Sequence, residues 1–255
     1  MLHRGLGHHD QFARIAPYYD LLMASVPYAR WADYVADLAL LARRPIVPGS
    51  HLLDLATGTG SVALEFANRG CIATGLDLSE PMLEQARRKA EAAGRRVEFL
   101  NRDLVQFSLP AEFDHALCLY DSLNYVLDPK HLERAFANVR RALNPSGVFI
   151  FDVNTVHALE AELFTQASGP NAVVRYQWRS KYQPRTRLTE VRMHFEIAAT
   201  GERIEIVHRQ RGYTDAEIRS LLSRAGFGEI GSYDGYRFQP PTSTSDRVFY
   251  VAVPR

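Results

Sequence analysis

The chain has 255 residues, of which 46% are hydrophobic and 23% charged, with 16 glycines and 13 prolines. This is the composition of an ordinary folded protein, and it excludes collagen-like, disordered and coiled-coil classes. Thirty Lys and Arg against 29 Asp and Glu give a formal net charge of +1, which is not the charge of a dedicated nucleic-acid or membrane-surface binder.

Two helices are predicted before the first strand. Apolar residues recur every three or four positions between Phe12 and Leu22, and again between Tyr28 and Ala42. Arg43, Arg44 and Pro45 then end the second helix. Residues 1–45 are therefore predicted to form an N-terminal helical cap.

From His51 onward, short β-rich runs alternate with helical segments. Strands are predicted at 51–56, 71–78, 97–101, 113–120 and 148–153, and helices at 60–69, 80–93 and 131–143, with a turn at 144–147 before the fifth strand. Such alternation indicates βαβ units and a parallel sheet.

The pattern changes after Asn154. Antiparallel strands are predicted at 173–182, 187–197 and 203–211, and a helix at 215–225 with strands at 229–233 and 247–253 then resumes the α/β pattern. Residues 46–154 and 212–255 are thus predicted to form one core, and 155–211 a β lid. Ligands bind open α/β sheets at the carboxyl ends of the strands, so an insertion after strand five is placed to cover a site.

A glycine-rich turn follows the first strand at Leu52–Gly60 (LLDLATGTG). Gly58 and Gly60 allow a ligand to approach the backbone, and the following helix presents free N–H groups. The spacing to Ala63 also fits a relaxed dinucleotide fingerprint, so an NAD(P)-dependent dehydrogenase is one alternative. The Asp54 carboxylate would repel a pyrophosphate at this turn, whereas it would attract a ligand with a cationic end.

Acidic residues follow the next two strands as well. Asp77 closes the second strand, where a carboxylate can accept both hydroxyls of a ribose. Asp103 follows the third strand and can accept from the amine of an adenine, while Met82 can pack on a purine face.

Together these residues resemble the class I S-adenosylmethionine-dependent methyltransferases. The resemblance rests on Asp54–Gly60, Asp77, Asp103–Leu104, 113–126 (FDHALCLYDSLNYV) and 147–154 (GVFIFDVN), and it extends to 15–23 (IAPYYDLLM) and 246–253 (DRVFYVAV). One departure is Ala56, where many members have glycine. The implied fold is a Rossmann-like α/β fold with a mostly parallel seven-stranded sheet, an antiparallel final strand and a small antiparallel β lid.

The resemblance implies S-adenosylmethionine as cofactor and S-adenosylhomocysteine as product. The methionine moiety would lie by the Gly58–Gly60 turn and the ribose on Asp77. The adenine would lie near Leu78, Met82, Asp103 and Leu104, and the methyl group at the end of strand four. Tyr19 and Tyr28 would close over the sulfonium, since aromatic faces attract cations. The implied contacts are Tyr19, Tyr28, Asp54, Ala56, Thr57, Gly58, Gly60, Asp77, Leu78, Met82, Asp103, Leu104, Leu119, Tyr120 and Ser122.

The expected reaction is an in-line displacement that aligns the acceptor with an already activated methyl group. A base is needed only for a protonated acceptor, and candidates near the expected methyl are Tyr125, Asn124, Asn154 and His208.

The sequence after strand four, Tyr120–Leu123, lacks the Asn/Asp-Pro-Pro-Tyr/Phe stretch of amino-directed nucleic-acid methyltransferases, which favours a small-molecule acceptor. Residues 173–211 carry nine Lys or Arg and four Glu. Alternating charges on an antiparallel sheet are usually a solvated face. An anionic acceptor, or an RNA-modifying or RNA-binding module, remains an alternative.

The expected cellular setting follows from what the sequence lacks. Cys71 and Cys118 have no CxxC spacing, which predicts neither a disulfide framework nor a metal site. No stretch has the apolar length of a signal peptide core or a membrane span. We therefore expect a cytoplasmic protein that binds no metal and no membrane. We also expect a monomer or homodimer, with a small molecule favoured over nucleic acid as its partner.

Overall fold

The computed structural model describes residues 8–169 and 172–255, with side chains from Phe12 onward. The helices are α1 (His8–Leu22), α2 (Tyr28–Leu41), α3 (Ser61–Asn68), α4 (Glu80–Ala92), α5 (Pro129–Ala142), α6 (Val156–Glu160) and α7 (Asp215–Arg224), with a 3₁₀ helix at Ser122–Tyr125. The strands are β1 (His51–Leu55), β2 (Ile72–Asp77), β3 (Glu98–Asn101), β4 (Phe113–Cys118), β5 (Leu143–Asn154), β6 (Gln166–Ala167), β7 (Val174–Gln183), β8 (Leu188–Ile197), β9 (Arg203–Arg211), β10 (Phe227–Asp234) and β11 (Arg247–Pro254).

Seven strands form the main sheet in the order β3-β2-β1-β4-β5-β11-β10. β1 to β5 pair in parallel, and β11 runs antiparallel to both β5 and β10. The predicted Rossmann-like sheet with an antiparallel final strand is confirmed. Strand order reverses between β1 and β4, and the carboxyl ends of these two strands open the crevice in which such sheets bind ligands.

Helices cover both faces of the main sheet. Phe136 of α5 and Leu222 of α7 pack with Phe149 on one face, and Leu38 of α2 packs with Leu52 on the other. All five side chains are fully buried, and burial of each stabilises the fold by about 1.5–3 kcal/mol. Because both faces of the main sheet are buried, its central strands are continuous runs of apolar residues in the sequence.

β6 to β9 form a second, wholly antiparallel sheet, called here the lid sheet. Its residues alternate between a buried and an exposed face, as along β8, where Val191 and Met193 are buried and Arg192 is exposed. The apolar face packs with Ile15 of α1, so cap and lid share one hydrophobic cluster. The predicted antiparallel lid is confirmed, whereas the cap, core and lid boundaries remain a prediction.

The predicted turn before strand five is wrong. β5 begins at Leu143, because Leu143 pairs with Phe113, and the register shifts between Phe113 and His115. The extra residues are absorbed as an irregularity in the strand instead of a separate turn. None of the helices within the described ranges is long and apolar enough to cross a membrane.

Candidate active site

The turn after β1 is built from left-handed backbone positions. Ala56, Gly58 and Gly60 have φ of +53°, +56° and +74°. A Cβ at Gly60 would lie 2.8 Å from the Phe99 ring and 2.9 Å from Ala86, so this position has no room for a side chain. Ala56 adopts the same region at a cost of about 1–2 kcal/mol, which a ligand-binding turn can carry.

Two carboxylates hold this turn. Asp54 accepts hydrogen bonds from the Thr57 hydroxyl at 2.5 Å and the Ala63 N–H at 3.2 Å. Burial raises the pKa of Asp54 to about 7, although these two hydrogen bonds favour the charged form. Asp77 accepts from the N–H groups of Gly58 and Ser79, both at 2.8 Å, and so joins the turn to the start of α4.

The turn after β4 is also strained, and it is held by charge. Tyr120 and Asp121 have φ of +65° and +51°. Asp152 on β5 accepts from their two N–H groups at 2.7 and 3.0 Å. Arg247 on β11 forms ion pairs with Asp152 and, at 2.9 Å, with Asp121. These buried charge-assisted bonds offset the backbone strain.

The ion-pair network reaches the lid sheet. Gln210 on β9 donates to Asp121 Oδ2 at 2.6 Å. Burial raises the pKa of Asp121, although the neighbouring Arg247 charge lowers it. Burial also lowers the pKa of Arg247, because it disfavours the charged guanidinium. Asp152 and Asp121 nevertheless hold the pKa of Arg247 above its ordinary value, so the guanidinium stays charged.

The cap is tied to the glycine turn by a polar cluster. Asp20 of α1 accepts from the Thr59 hydroxyl at 2.6 Å and forms an ion pair with Lys89 of α4 at 2.7 Å. Lys89 also donates to the Ser61 hydroxyl at 2.9 Å. We call this cluster the cap latch, because it joins α1 to the turn and to α4.

A cavity of about 680 Å³ runs from the glycine turn to the lid sheet. The part that we call the loop half is lined by Asp54, Ala56, Thr57, Gly58, Asp77, Leu78, Met82, Asp103 and Leu104. The part that we call the lid half is lined by Phe12, Ile15, Tyr125, Phe164, Tyr176, Trp178, Met193, Phe195, Ile206 and His208. Between the halves lie Tyr19, Tyr28, Trp31, Leu119, Tyr120 and Ser122.

Tyrosines mark the junction of the two halves. Burial, followed by the neighbouring Tyr28, Tyr120 and Tyr125, raises the pKa of Tyr19 well above its usual value. Burial also raises the pKa of Tyr28 to about 12. These phenols are therefore neutral near pH 7 and present hydroxyl groups and aromatic faces to the cavity.

The comparisons with known proteins agree with this architecture. Residues 52–147 match the family described as a methyltransferase domain. A Geobacillus protein named only as a methyltransferase is 29% identical and covers 94% of this chain and 98% of its own. The carboxy-S-adenosyl-L-methionine synthase of Wolinella succinogenes is 30% identical, covering 83% of this chain and 82% of its own. The solved S-adenosylmethionine-dependent methyltransferase of Clostridium acetobutylicum superposes with a TM-score of 0.83 at 25% identity, covering 96% of this chain and 98% of that one.

The chain belongs to the S-adenosylmethionine-dependent methyltransferases. The family predicted from the sequence is confirmed, and with it S-adenosylmethionine as the cofactor of this methyltransferase.

The structure brings the predicted cofactor contacts of the methyltransferase together in one cavity. Fourteen of the fifteen line it, and Gly60 is the exception, because it lies under the turn against Phe99. Their individual contacts with the cofactor remain predictions.

The four candidate proton acceptors separate into two pairs. Tyr125 and His208 line the lid half, and the Tyr125 hydroxyl lies 3.3 Å from His208 Nδ1. The Asn124 amide instead donates to the carbonyls of Asn154 and Arg211 and accepts from the Asn154 N–H. Asn124 and Asn154 are buried outside the cavity lining, where these bonds join β5 to β9.

Several residues of the methyltransferase site were missed from the sequence. Asp20, Asp152 and Arg247 are the main ones. A charged residue inside the apolar run of strand five was a usable signal for Asp152. Its pairing with Arg247 spans 95 positions, and no local pattern encodes such a separation.

Proposed function

We propose that this methyltransferase transfers the methyl group of S-adenosylmethionine to a small, uncharged acceptor that binds in the lid half. The observation that supports this proposal most directly is one continuous cavity, which has the Asp77 carboxylate at one end and the Tyr125–His208 pair at the other. A cavity of about 680 Å³ suits a cofactor together with a small second molecule.

The loop half fits the cofactor by chemistry. Asp77 stands where the ribose hydroxyls need an acceptor, and a carboxylate has about four acceptor sites. Asp54 suits the cationic amino-acid end, while Leu78, Met82 and Leu104 offer apolar surface to adenine. These assignments support the proposed binding of S-adenosylmethionine along the loop half.

S-adenosylmethionine supplies a methyl group already activated by the positive sulfur. The chain contributes alignment and exclusion of water, which in well-oriented systems are worth about 7–11 kcal/mol of the barrier. Tyr19, Tyr28 and Tyr120 surround the junction, where their faces can stabilise a cation. The Asp152–Arg247 pair fixes the turn that carries Tyr120, and the cap latch holds α1 over the cavity.

The charge distribution of the lid favours a small molecule over RNA. Arg192 and Arg209 lie on the exposed face of the lid sheet and pair there with Glu190. Arg175 pairs with Glu196 on the same face. The buried face of β7 to β9 carries no Lys, Arg, Asp or Glu, so the basic character of the insertion supports neither an anionic acceptor in the cavity nor RNA at the methyl donor.

Calorimetric titration with S-adenosylhomocysteine and with NAD and NADP tests this proposal. We expect one site with a dissociation constant in the micromolar range for S-adenosylhomocysteine and no heat of binding for either dinucleotide. Incubation of a cell extract with the chain and radiolabelled donor should place the label in the small-molecule fraction. Binding of NAD or NADP alone, or label found only in RNA, would contradict the proposal.

A further inference from the structure

We infer that the lid half takes a planar aromatic acceptor carrying a hydroxyl group, and that Tyr125 and His208 together remove the hydroxyl proton. The inference rests on the proposed function, since it names the acceptor class for the same cavity.

The geometry places Tyr125 in front of His208. Tyr125 is half-buried on the 3₁₀ helix directly after the β4 turn, and it lines the cavity. His208 on β9 is only 3% exposed, and its Nδ1 lies 3.3 Å from the Tyr125 hydroxyl. The Phe12 ring covers the imidazole at 4.4 Å between centroids. An acceptor therefore meets the Tyr125 hydroxyl first.

The walls of the lid half fit a flat ring. Trp178 lies beside Tyr176 and Phe195, with ring centroids 5.1 and 6.3 Å apart. Phe12 meets Tyr125 edge to face at 5.8 Å. Aromatic side chains pack well on planar rings in such offset and edge-to-face arrangements.

The charges of the lid half fit an acceptor that enters neutral. The side chains assigned above to the lid half include no Asp, Glu, Lys or Arg. Asp121 and Arg247 also line the cavity, but they form an ion pair with each other, and Gln210 donates to Asp121 as well. An ammonium or a phenolate would lose its hydration here without an opposite charge, so a neutral phenol that ionises in place is favoured.

The proton then needs an acceptor, and a relay supplies one. The phenol O–H bond breaks and its proton passes to the Tyr125 oxygen, while the Tyr125 proton moves to His208 Nδ1. The phenol oxygen forms its bond to the methyl carbon as the methyl–sulfur bond breaks, leaving the electron pair on sulfur. Imidazolium, the methyl ether and S-adenosylhomocysteine balance the step.

The surroundings of the pair favour the histidine as the final proton acceptor. Burial, followed by the Asp121 charge, raises the pKa of Tyr125, so a tyrosinate is unfavourable there. Phe12 of α1 packs against the imidazole, and Val191 of β8 is the cross-strand neighbour of His208. Gln210 also hydrogen-bonds to Tyr125, but an amide is a much weaker base than an imidazole, and the Asp121 carboxylate is ion-paired with Arg247.

The test combines spectroscopy with kinetics on Tyr125→Phe, His208→Gln and a matched control, His194→Gln, which lies on the exposed face of β8. The spectroscopic probe is 4-nitrophenol bound in the presence of S-adenosylhomocysteine, below the pH at which it ionises in water. We expect the nitrophenolate absorption with wild type and His194→Gln, and the neutral phenol spectrum with the other two variants. Calorimetry with S-adenosylhomocysteine should give dissociation constants within about twofold for all four proteins, because neither side chain lines the loop half.

Kinetics with a series of substituted phenols adds a readout that a purely structural role would not change. For unsubstituted phenol, Tyr125→Phe and His208→Gln should lower kcat by about 10²–10⁴-fold. The loss should shrink for the more acidic phenols, which ionise without help, while His194→Gln stays within about twofold of wild type.

Several results would overturn the inference. These are a wild type that binds S-adenosylhomocysteine yet methylates no phenol or prefers amines, equal losses for every phenol, or a His194→Gln variant as impaired as His208→Gln. Tyr125→Phe decides the matter if His208→Gln does not fold. Absence of S-adenosylhomocysteine binding in wild type would instead defeat the proposed function itself.

Discussion

Asp54 makes the glycine turn sensitive to pH. It is 2% exposed, and burial raises its pKa to about 7 from the ordinary 3.8. Since the folded-state pKa lies above the unfolded value, this carboxyl favours the fold most below pH 3.8, and that contribution is lost as the pH rises through about 7. A cationic ligand beside Asp54 reverses the preference, because it stabilises the carboxylate.

Ligand binding should therefore release a proton from Asp54. At about pH 6 we expect S-adenosylmethionine binding to wild type to release up to about one proton, and binding to Asp54→Asn to release none at this site. Calorimetry in two buffers with different ionisation enthalpies measures the number released. Equal proton release by the two proteins would show that Asp54 does not face the cationic end of the ligand.

At the level of single residues, the sequence identified side chains that act close to their own strand. Asp54 and Asp77 lie at the carboxyl ends of β1 and β2, and Asp103 follows β3, so their positions along the strands indicated their place in the cavity. The Asp121–Arg247–Asp152 network was not predicted, because its members come from three strand ends that only the sheet brings together. The positive φ angles of Tyr120 and Asp121 were not predicted either, because neither residue type indicates positive φ strongly enough.

At the level of elements, α1 belongs to both halves of the site. It packs against the lid sheet through Ile15 and joins the glycine turn through Asp20. Its periodicity predicted a helix but not its partners. The start of β5 was missed because Pro145 and Gly147 read as a turn, whereas pairing of Leu143 with Phe113 extends the strand through them.

Breaking the cap latch should speed the release of the cofactor product. In Asp20→Ala we expect S-adenosylhomocysteine to dissociate about 3–10-fold faster, with a change below about 1 kcal/mol in the free energy of unfolding, because the ion pair is half exposed. Stopped-flow tryptophan fluorescence can follow release, since both tryptophans of the chain line the cavity.

The matched control for the latch is Asp33→Ala, which removes a surface ion pair between α2 and Arg69 away from the cavity. Its dissociation rate should equal that of wild type. A latch variant that releases the product no faster than this control would mean that α1 does not restrain the ligand.

Charge on the outer face of the lid should not matter for methyl transfer. Arg179→Glu combined with Lys181→Glu reverses two exposed charges on β7. We expect the rate of label transfer to the small-molecule fraction to stay within about twofold, and stability within about 0.5 kcal/mol per substitution. A tenfold loss of transfer, or loss of an RNA affinity that the wild type shows at low salt, would favour the RNA alternative.

At the level of the whole molecule, the cavity is made where three parts of the chain meet. The main sheet supplies the loop half, α1 covers the junction, and the lid sheet supplies the aromatic walls. The parallel sheet and the glycine turn were predictable from alternation and spacing. The alternating charges of the lid strands already favoured a solvated outer face, and the strand pairing shows which residues lie on it. The net charge of the segment taken alone suggested an anionic acceptor.

The near-neutral total charge conceals this arrangement. Arg175, Arg192 and Arg209 pair with glutamates on the outer face of the lid, and Asp77 and Asp152 of the core hold turns. The charged residues Asp121 and Arg247 that line the cavity neutralise each other, which fits the neutral acceptor proposed for the lid half.

A crystal structure with S-adenosylhomocysteine tests the assigned site most directly. We expect the ribose hydroxyls within hydrogen-bond distance of Asp77, the adenine beside Met82 and Asp103, and the sulfur at the junction near Tyr19 and Tyr120, facing the lid half. A ligand bound outside this cavity, or one whose ribose lies away from Asp77, would contradict the account.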